Sequence, residues 1–269
     1  MAQDTFQLAQ GAAAIYERQK VRAIFRPLAE ATLATVIVSK DDIVLDVACG
    51  TGIVARLVQE RASPSAPITG IDLNDGMIET ARTLTQDASD AFQWHVGDVT
   101  AMPFDDDSFT LALCQQGLQF FPDGAAAVGE IRRVLRPGGR LALTVWAGVS
   151  PFFAALAEAI GRHVSPEDAV RSLAPFAYSG LSSVPSLLQS NGFADVRESD
   201  LTIDRIIQDP TESIPREILG NPVGPAVAAR GEKVMSDIVA DVLAACADLR
   251  HGSDLVAPQT ARLFVAVAG

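Results

Sequence analysis

The chain has 269 residues, 48% of them hydrophobic, and carries 21 Lys plus Arg against 33 Asp plus Glu, a formal net charge of -12. That length and apolar content allow a large core in one α/β domain with added helices. The charge opposes a phosphate backbone, and no basic patch offsets it, so DNA, tRNA and rRNA are excluded as expected partners. Cys49, Cys114 and Cys246 are far apart in the sequence, which reads as buried reduced thiols. The first five residues show no basic or apolar leader segment, and no apolar run approaches the roughly 20 residues of a membrane span. The expected location is therefore the cytoplasm.

Residues 6 to 38 are Ala-rich and put Ile15, Tyr16, Gln19, Val21, Ile24, Phe25 and Leu28 on an uneven apolar face. They predict helix, with Pro27 marking a break or a new start. Ile43 to Val47 is a short apolar run with β-branched residues, interrupted only by Asp46, and predicts a buried strand. Gly50 and Gly52 then allow a tight reversal into a helix over Val54 to Arg61, which ends at the breaker Ser63-Pro64-Ser65-Ala66-Pro67. Such a turn offers unpaired N–H groups and a positive helix end to a ligand. Two ligands compete for it. Gly50-x-Gly52-x-x-Ala55, with Asp72 closing the next apolar run Ile68 to Asp72, satisfies the dinucleotide fingerprint. Asp46, however, sits inside the first strand, where a carboxylate repels phosphate but accepts hydrogen bonds from an ammonium group. S-adenosylmethionine has that ammonium, a ribose for Asp72 and no phosphate. On the frame Asp46-x-Ala48-x-Gly50-x-Gly52 together with Asp72, the chain resembles the class I S-adenosylmethionine-dependent methyltransferases, in particular the small-molecule group that includes the ubiquinone and menaquinone C-methyltransferases.

The resemblance implies a Rossmann-like, mostly parallel seven-stranded sheet with helices on both faces, an N-terminal helical lid over residues 1–38 and an insertion after strand five. It implies a single domain: a cofactor-binding core at 41–147, a substrate roof at 150–190, and closing strands and helices at 191–269. In this family Tyr16 on the lid would contact the methionyl part of the cofactor or the substrate, or simply anchor the helix to the core. The turn residues Asp46, Ala48, Cys49, Gly50, Thr51 and Gly52 would hold the methionyl end. Ala48 departs from the glycine more usual there, a small cost if its φ is negative. Asp72 would accept both ribose hydroxyls, Leu73 and Met77 would pack on the adenine, and Asp75 remains to cap the following helix, expected through Leu84.

Phe92 to Val96 predicts the third strand. Asp98 and Val99 follow it at the positions where the family meets the adenine amino group and ring, and His95 reads as structural. The Asp105-Asp106-Asp107 run reads as a solvated loop. Thr110 to Cys114 predicts the fourth strand. In an open parallel sheet ligands collect beyond the strand ends, so Gln115 and Gln116 are cofactor-contact candidates and Gln119 and Phe120 face the substrate. The segment lacks an Asn/Asp-Pro-Pro-aromatic signature and a Pro-Cys nucleophile, which removes nucleobase amino and cytosine C5 methylation. Arg136-Pro137-Gly138-Gly139 ends a helix carrying the surface pair Arg132 and Arg133 and feeds strand five, the second feature of the resemblance. Beyond Trp146, Pro151 to His163 predicts an amphipathic helix, the stretch from Gly192 to Ile207 a late strand, Val234 to Leu249 a helix and Arg262 to Ala268 the last strand.

The expected reaction is methyl transfer from S-adenosylmethionine to a small, largely apolar organic acceptor, on O, C or N. Should the acceptor need a base, His163 is a weak candidate, and Tyr178 a further pocket residue. No His, Cys or carboxylate cluster has metal-ligand spacing, and there is no Gly-x-Ser-x-Gly elbow. The alternatives are an NAD(P)-dependent dehydrogenase, disfavoured by Asp46 and the missing Tyr-x-x-x-Lys, and a non-catalytic cofactor-binding protein. The expected assembly is a monomer or homodimer.

Overall fold

Strand runs that are apolar without alternation end up covered on both faces, as parallel sheets require. The computed structural model describes residues 12–176 and 178–269. In it Val44–Val47 (β1), Ile68–Asp72 (β2), Phe92–Val96 (β3), Phe109–Gln115 (β4) and Leu135–Trp146 (β5) pair in parallel, with β1 wholly buried between β2 and β4. Leu45 lies beside Thr69 on one side and Ala112 on the other. Phe193–Ile207 (β6), Arg250–His251 (β7) and Asp254–Ala268 (β8) complete the sheet in the order β3-β2-β1-β4-β5-β8-β6, β7 pairing with β8 alone. This is the mostly parallel, Rossmann-like sheet expected from the sequence. The carboxyl ends of β1, β2 and β4 therefore gather at one edge.

The described chain divides into two compact units. The larger holds residues up to Val145, Ser179–Leu201 and Ala261–Gly269; the smaller holds Trp146–Tyr178 and Thr202–Thr260. In the larger unit the helix Ile53–Ala62 buries Ile53, Val54, Leu57 and Val58 against Val44 and Leu111. The expected N-terminal helix is three pieces: α-helix Ala12–Tyr16, π-helix Glu17–Phe25 and α-helix Arg26–Thr35, with Pro27 in the first turn of the last. Proline there removes a donor that has no intrahelical partner anyway. Residues 6 to 11 of that expected helix, and the first five residues, lie outside the described residues.

Two expectations about the second half of the core are corrected. Pro137-Gly138-Gly139 does not precede strand five: pairing starts at Leu135 opposite Phe109 and resumes at Arg140 opposite Leu111, so the turn is an excursion within β5, with Gly138 at φ +77°. The pair Arg132 and Arg133 is not a free surface face. Arg133 bonds Glu130 at 2.7 Å, Asp106 at 2.6 Å and the carbonyls of Met102 and Phe104, pinning the helix Gly124–Val134 to the acidic loop. Arg132 bonds the carbonyls of Leu135 and Gly269.

In the smaller unit the helix Pro151–His163 appears as expected and buries Phe152, Leu156 and Ile160. Helices Pro210–Leu219 and Glu232–Ala245 bury Ile214, Ile218 and Val242. The last strand begins at Asp254, eight residues before the expected Arg262, after a tight turn at Gly252 with φ +63°. Among the described residues no helix is long and apolar enough to cross a membrane.

Candidate functional site

Beyond β1 the chain reverses through three left-handed residues, Ala48 at φ +54°, Gly50 at +55° and Gly52 at +80°. Cys49 N donates to Ile71 O at 3.0 Å and Gly52 N to Cys49 O at 2.8 Å, and the helix starts at Ile53. The positive φ at Ala48 means that the condition for a cheap methyl, a negative φ, is not met, because an L side chain is strained in this region. Ala48→Gly is expected to stabilise the unliganded protein by about 1 kcal/mol, visible as a rise of ~3 °C in melting temperature. A lower melting temperature would show that the methyl's packing outweighs its strain. Glycine is needed at position 52 for a second reason that the sequence did not reveal: a Cβ there would lie 2.4 Å from the Trp94 ring, and one at Gly70 2.3 Å from it. The indole lies against both backbones, held by Nε1 donating to Thr85 Oγ1 at 3.0 Å.

Two carboxylates bind this turn. Asp46, 1% exposed, accepts from Ala55 N at 3.0 Å, in the first turn of the helix. Burial pushes its pKa up to about 7, against the Ala55 bond and with help from the Asp72 charge. Asp72, at the tip of β2, accepts from Gly50 N at 2.8 Å and Asn74 N at 2.9 Å. Burial raises it too, and those two amides oppose the rise. The cap of the helix Asp75–Leu84 is Asn74, accepting from Met77 N at 3.1 Å, and not Asp75. Asn at this position outranks an acid one residue inside the helix.

The N-terminal pieces close over the turn. Tyr16 stacks on Phe25 with centroids 5.3 Å apart, and burial, then Asp72 and Glu17, hold its hydroxyl far above the ordinary phenol range. Glu17 accepts from the Thr51 hydroxyl and from Arg56 Nη2 at 2.7 Å, both belonging to the glycine turn and its helix. Beneath this strap remains a cavity of about 40 Å³ lined by Tyr16, Phe25, Asp46, Ala48, Thr51 and Gln115, among others. Such a space holds about one water. That space is too small for an adenosine-sized ligand with the strap in this position. Glu17→Ala should therefore speed both association and dissociation of such a ligand by roughly 10-fold, the worth of a charge-assisted contact. Stopped-flow Trp94 fluorescence measures it, and unchanged rates would mean that the strap does not gate the cavity.

The other candidate residues do not all gather at this cavity. Gln115 and Cys49 line the cavity with the turn residues; Gln115 Nε2 donates to Phe25 O at 3.1 Å while its Oε1 is buried with no partner. Gln116, at φ +59°, directs its amide to Thr144 Oγ1 at 3.4 Å and is not part of the lining. Leu73, 46% exposed, and Met77 follow β2; Asp98 follows β3, accepting from Thr100 N at 2.9 Å, with Val99 beside it. Gln119 and Phe120 sit on the turn Leu118–Phe120 after β4. His163 and Tyr178 belong to the smaller unit. His163 Nε2 lies 2.8 Å from Asp241 Oδ2, which Arg162 also pairs at 3.1 Å, and burial raises Tyr178. All three cysteines are free and buried, and the described residues contain no group of three or more metal-ligand side chains. Sequence reasoning missed Glu17 and Trp94, whose partners lie well away along the chain.

Residues 45–143 match the family described as a methyltransferase domain. A demethylmenaquinone methyltransferase of Staphylococcus aureus is 37% identical over 95 residues, 35% of this chain and 39% of that protein. The chain spans 28% to 39% of the length of the first curated relatives it matches. The crystal structure of YcgJ from Bacillus subtilis superposes with a TM-score of 0.59 at 21% identity, covering 89% of this chain and 97% of that one. A Haemonchus contortus phosphoethanolamine N-methyltransferase, solved with phosphomonomethylethanolamine and S-adenosylhomocysteine, superposes with a TM-score of 0.60 at 17% identity, covering 95% and 56%. Residues 45–143 thus match the methyltransferase-domain family, and the sheet order, with a glycine turn after β1 and an acid at the tip of β2, gives the chain the Rossmann-like fold of these solved structures.

Proposed function

We propose that the chain binds S-adenosylmethionine under the strap and transfers its methyl group to a small, largely apolar organic acceptor. The observation that carries this reading is the chemistry of the cavity wall. Asp46 and the unpartnered Gln115 Oε1 face a ligand beneath the strap, Asp72 fastens the adjoining turn, and among the described residues no cationic side chain is part of the lining. Such a set suits an ammonium and ribose hydroxyls and repels a diphosphate. Asp46 and Gln115 would receive the ammonium, Asp72 the ribose hydroxyls, Leu73 and Met77 the adenine faces, and Asp98 and the Val99 N–H its edge. When bound, the cofactor supplies an electrophilic methyl on a sulfonium. The chain's own work is to orient the two reactants and exclude water, and Tyr16, Phe25 and Glu17 close the strap to that end.

The small acceptor is supported by the net charge of -12, which disfavours nucleic acid, and by the naming of a curated relative for demethylmenaquinone. Calorimetric titration with S-adenosylmethionine and S-adenosylhomocysteine tests the reading. Saturable binding of both is expected; binding of neither, or of NAD(H) instead, removes it.

A further inference from the structure

The smaller unit buries more hydrogen-bonding capacity than it uses. Among the described residues six buried side-chain nitrogen or oxygen atoms lack a partner, and four of them belong to this unit: Gln259 Nε2 and Oε1, Arg205 Nε and Ser150 Oγ. The three residues are 0%, 3% and 4% exposed. The fold gathers them. Within this unit the hydroxyls of Thr202 and Thr260 meet at 2.9 Å across β6 and β8, and Asp209 N donates to Asp254 Oδ1 at the end of the pair. Antiparallel pairing in that register sets Ile203 opposite Gln259 and Arg205 opposite Ala257. Arg205 and Gln259 are then diagonal neighbours on the buried face. The Arg205 guanidinium lies 4.8 Å over the Phe153 ring, and Ser150 precedes Phe153 by about one helical turn. Ser150 stands at the N-cap of the helix Pro151–His163, where serine ordinarily bonds a first-turn amide, yet it makes no such bond.

Buried polar groups oppose folding unless something pairs with them, and these describe what would. Glu217, 2.9 Å away, already balances the Arg205 charge, so an anion is not called for. Arg205 Nε and Gln259 Nε2 donate, Gln259 Oε1 accepts and Ser150 does either. Beside them Phe153 and Phe176 pack with centroids 4.3 Å apart, and Trp146 lies 6.2 Å from Phe176. The geometry points to a binding site within the smaller unit for a neutral, planar aromatic molecule that carries both a carbonyl and a hydroxyl. The carbonyl accepts from Arg205 Nε and Gln259 Nε2, and the hydroxyl, across the ring, bonds Ser150 Oγ. The ring takes the place of Phe176 against Phe153; Phe176 is carried on the single turn Ala174–Phe176 and is the side chain that has to move. This site stands independently of the methyltransferase reading.

Titration calorimetry of the whole chain without cofactor tests it, with para-hydroxyacetophenone as probe and acetophenone and ethylbenzene as controls. Saturable binding of the probe is expected, about tenfold weaker for acetophenone and absent for ethylbenzene. Gln259→Leu should weaken the probe at least about tenfold while raising the melting temperature of the unliganded protein by ~3 °C, because leucine removes an amide that has no partner. Ser150→Ala, which breaks no cap bond, should weaken the probe severalfold at unchanged melting temperature. Absence of probe binding to the unaltered chain overturns the site. So does a Gln259→Leu protein that melts several degrees lower, or affinity left unaltered in both variants.

Discussion

Asp72→Asn is expected to weaken S-adenosylmethionine and S-adenosylhomocysteine alike, by roughly 10- to 100-fold, because both carry the ribose that the carboxylate would hold. A hydrogen bond to a charged group contributes about 1.5–3 kcal/mol, and each 1.4 kcal/mol is a factor of ten in affinity. The carboxylate also holds the backbone, since its oxygens already accept from Gly50 N at 2.8 Å and Asn74 N at 2.9 Å. Asparagine keeps one acceptor and turns an NH2 toward one of those amides, so some loss comes from a loosened turn. A melting curve separates the two contributions. Affinity within threefold of the unaltered protein, with a lowered melting temperature, would make Asp72 a fastener of the turn and nothing more.

The residues that made this site legible in the sequence act locally. A run such as Ile68 to Asp72 announces a buried parallel strand by its own composition, and the acid that ends it marks the tip. Gly50 and Gly52 announce a reversal, although the hand of Ala48 could not be read from an alanine. What stayed hidden depends on chain brought from far away. Glu17 meets Arg56 across 39 residues, and Trp94 enforces glycine at positions 52 and 70 from a neighbouring strand. The early part of β8 was hidden differently. Pro258 and Gln259 interrupt an otherwise regular alternation of Leu255, Ala257, Ala261 and Leu263, and a buried glutamine does not look like a core residue. Asn74 was passed over for Asp75 because spacing cannot say where a helix begins to within one residue.

Stability of the unliganded protein is expected to fall as pH rises from about 4 to about 7, through Asp46. Its carboxyl is pushed from an ordinary value of 3.8 up to about 7 by burial, so in that window the folded chain holds a proton that the unfolded chain has released. Stability therefore declines with pH across the window and levels off above it, by roughly 4 kcal/mol at 1.36 kcal/mol per unit. Asp72, raised by the same burial, adds to the decline. An ammonium set beside Asp46 favours the ionised carboxylate, so cofactor binding should release a proton and tighten up to about tenfold per pH unit below 7. Calorimetry in buffers of different ionisation enthalpy counts that proton, and urea melts at pH 5 and pH 8 give the stability slope. Asp46→Asn removes the titrating group while its amide oxygen can still accept from Ala55 N. It should flatten most of the stability slope, abolish the proton release and melt higher than the unaltered protein at pH 8. If the variant keeps the original slope and still releases a proton on binding, Asp46 is neither the titrating group nor the partner of the ammonium, and the cavity wall loses the charge on which its selectivity for a cationic ligand depends.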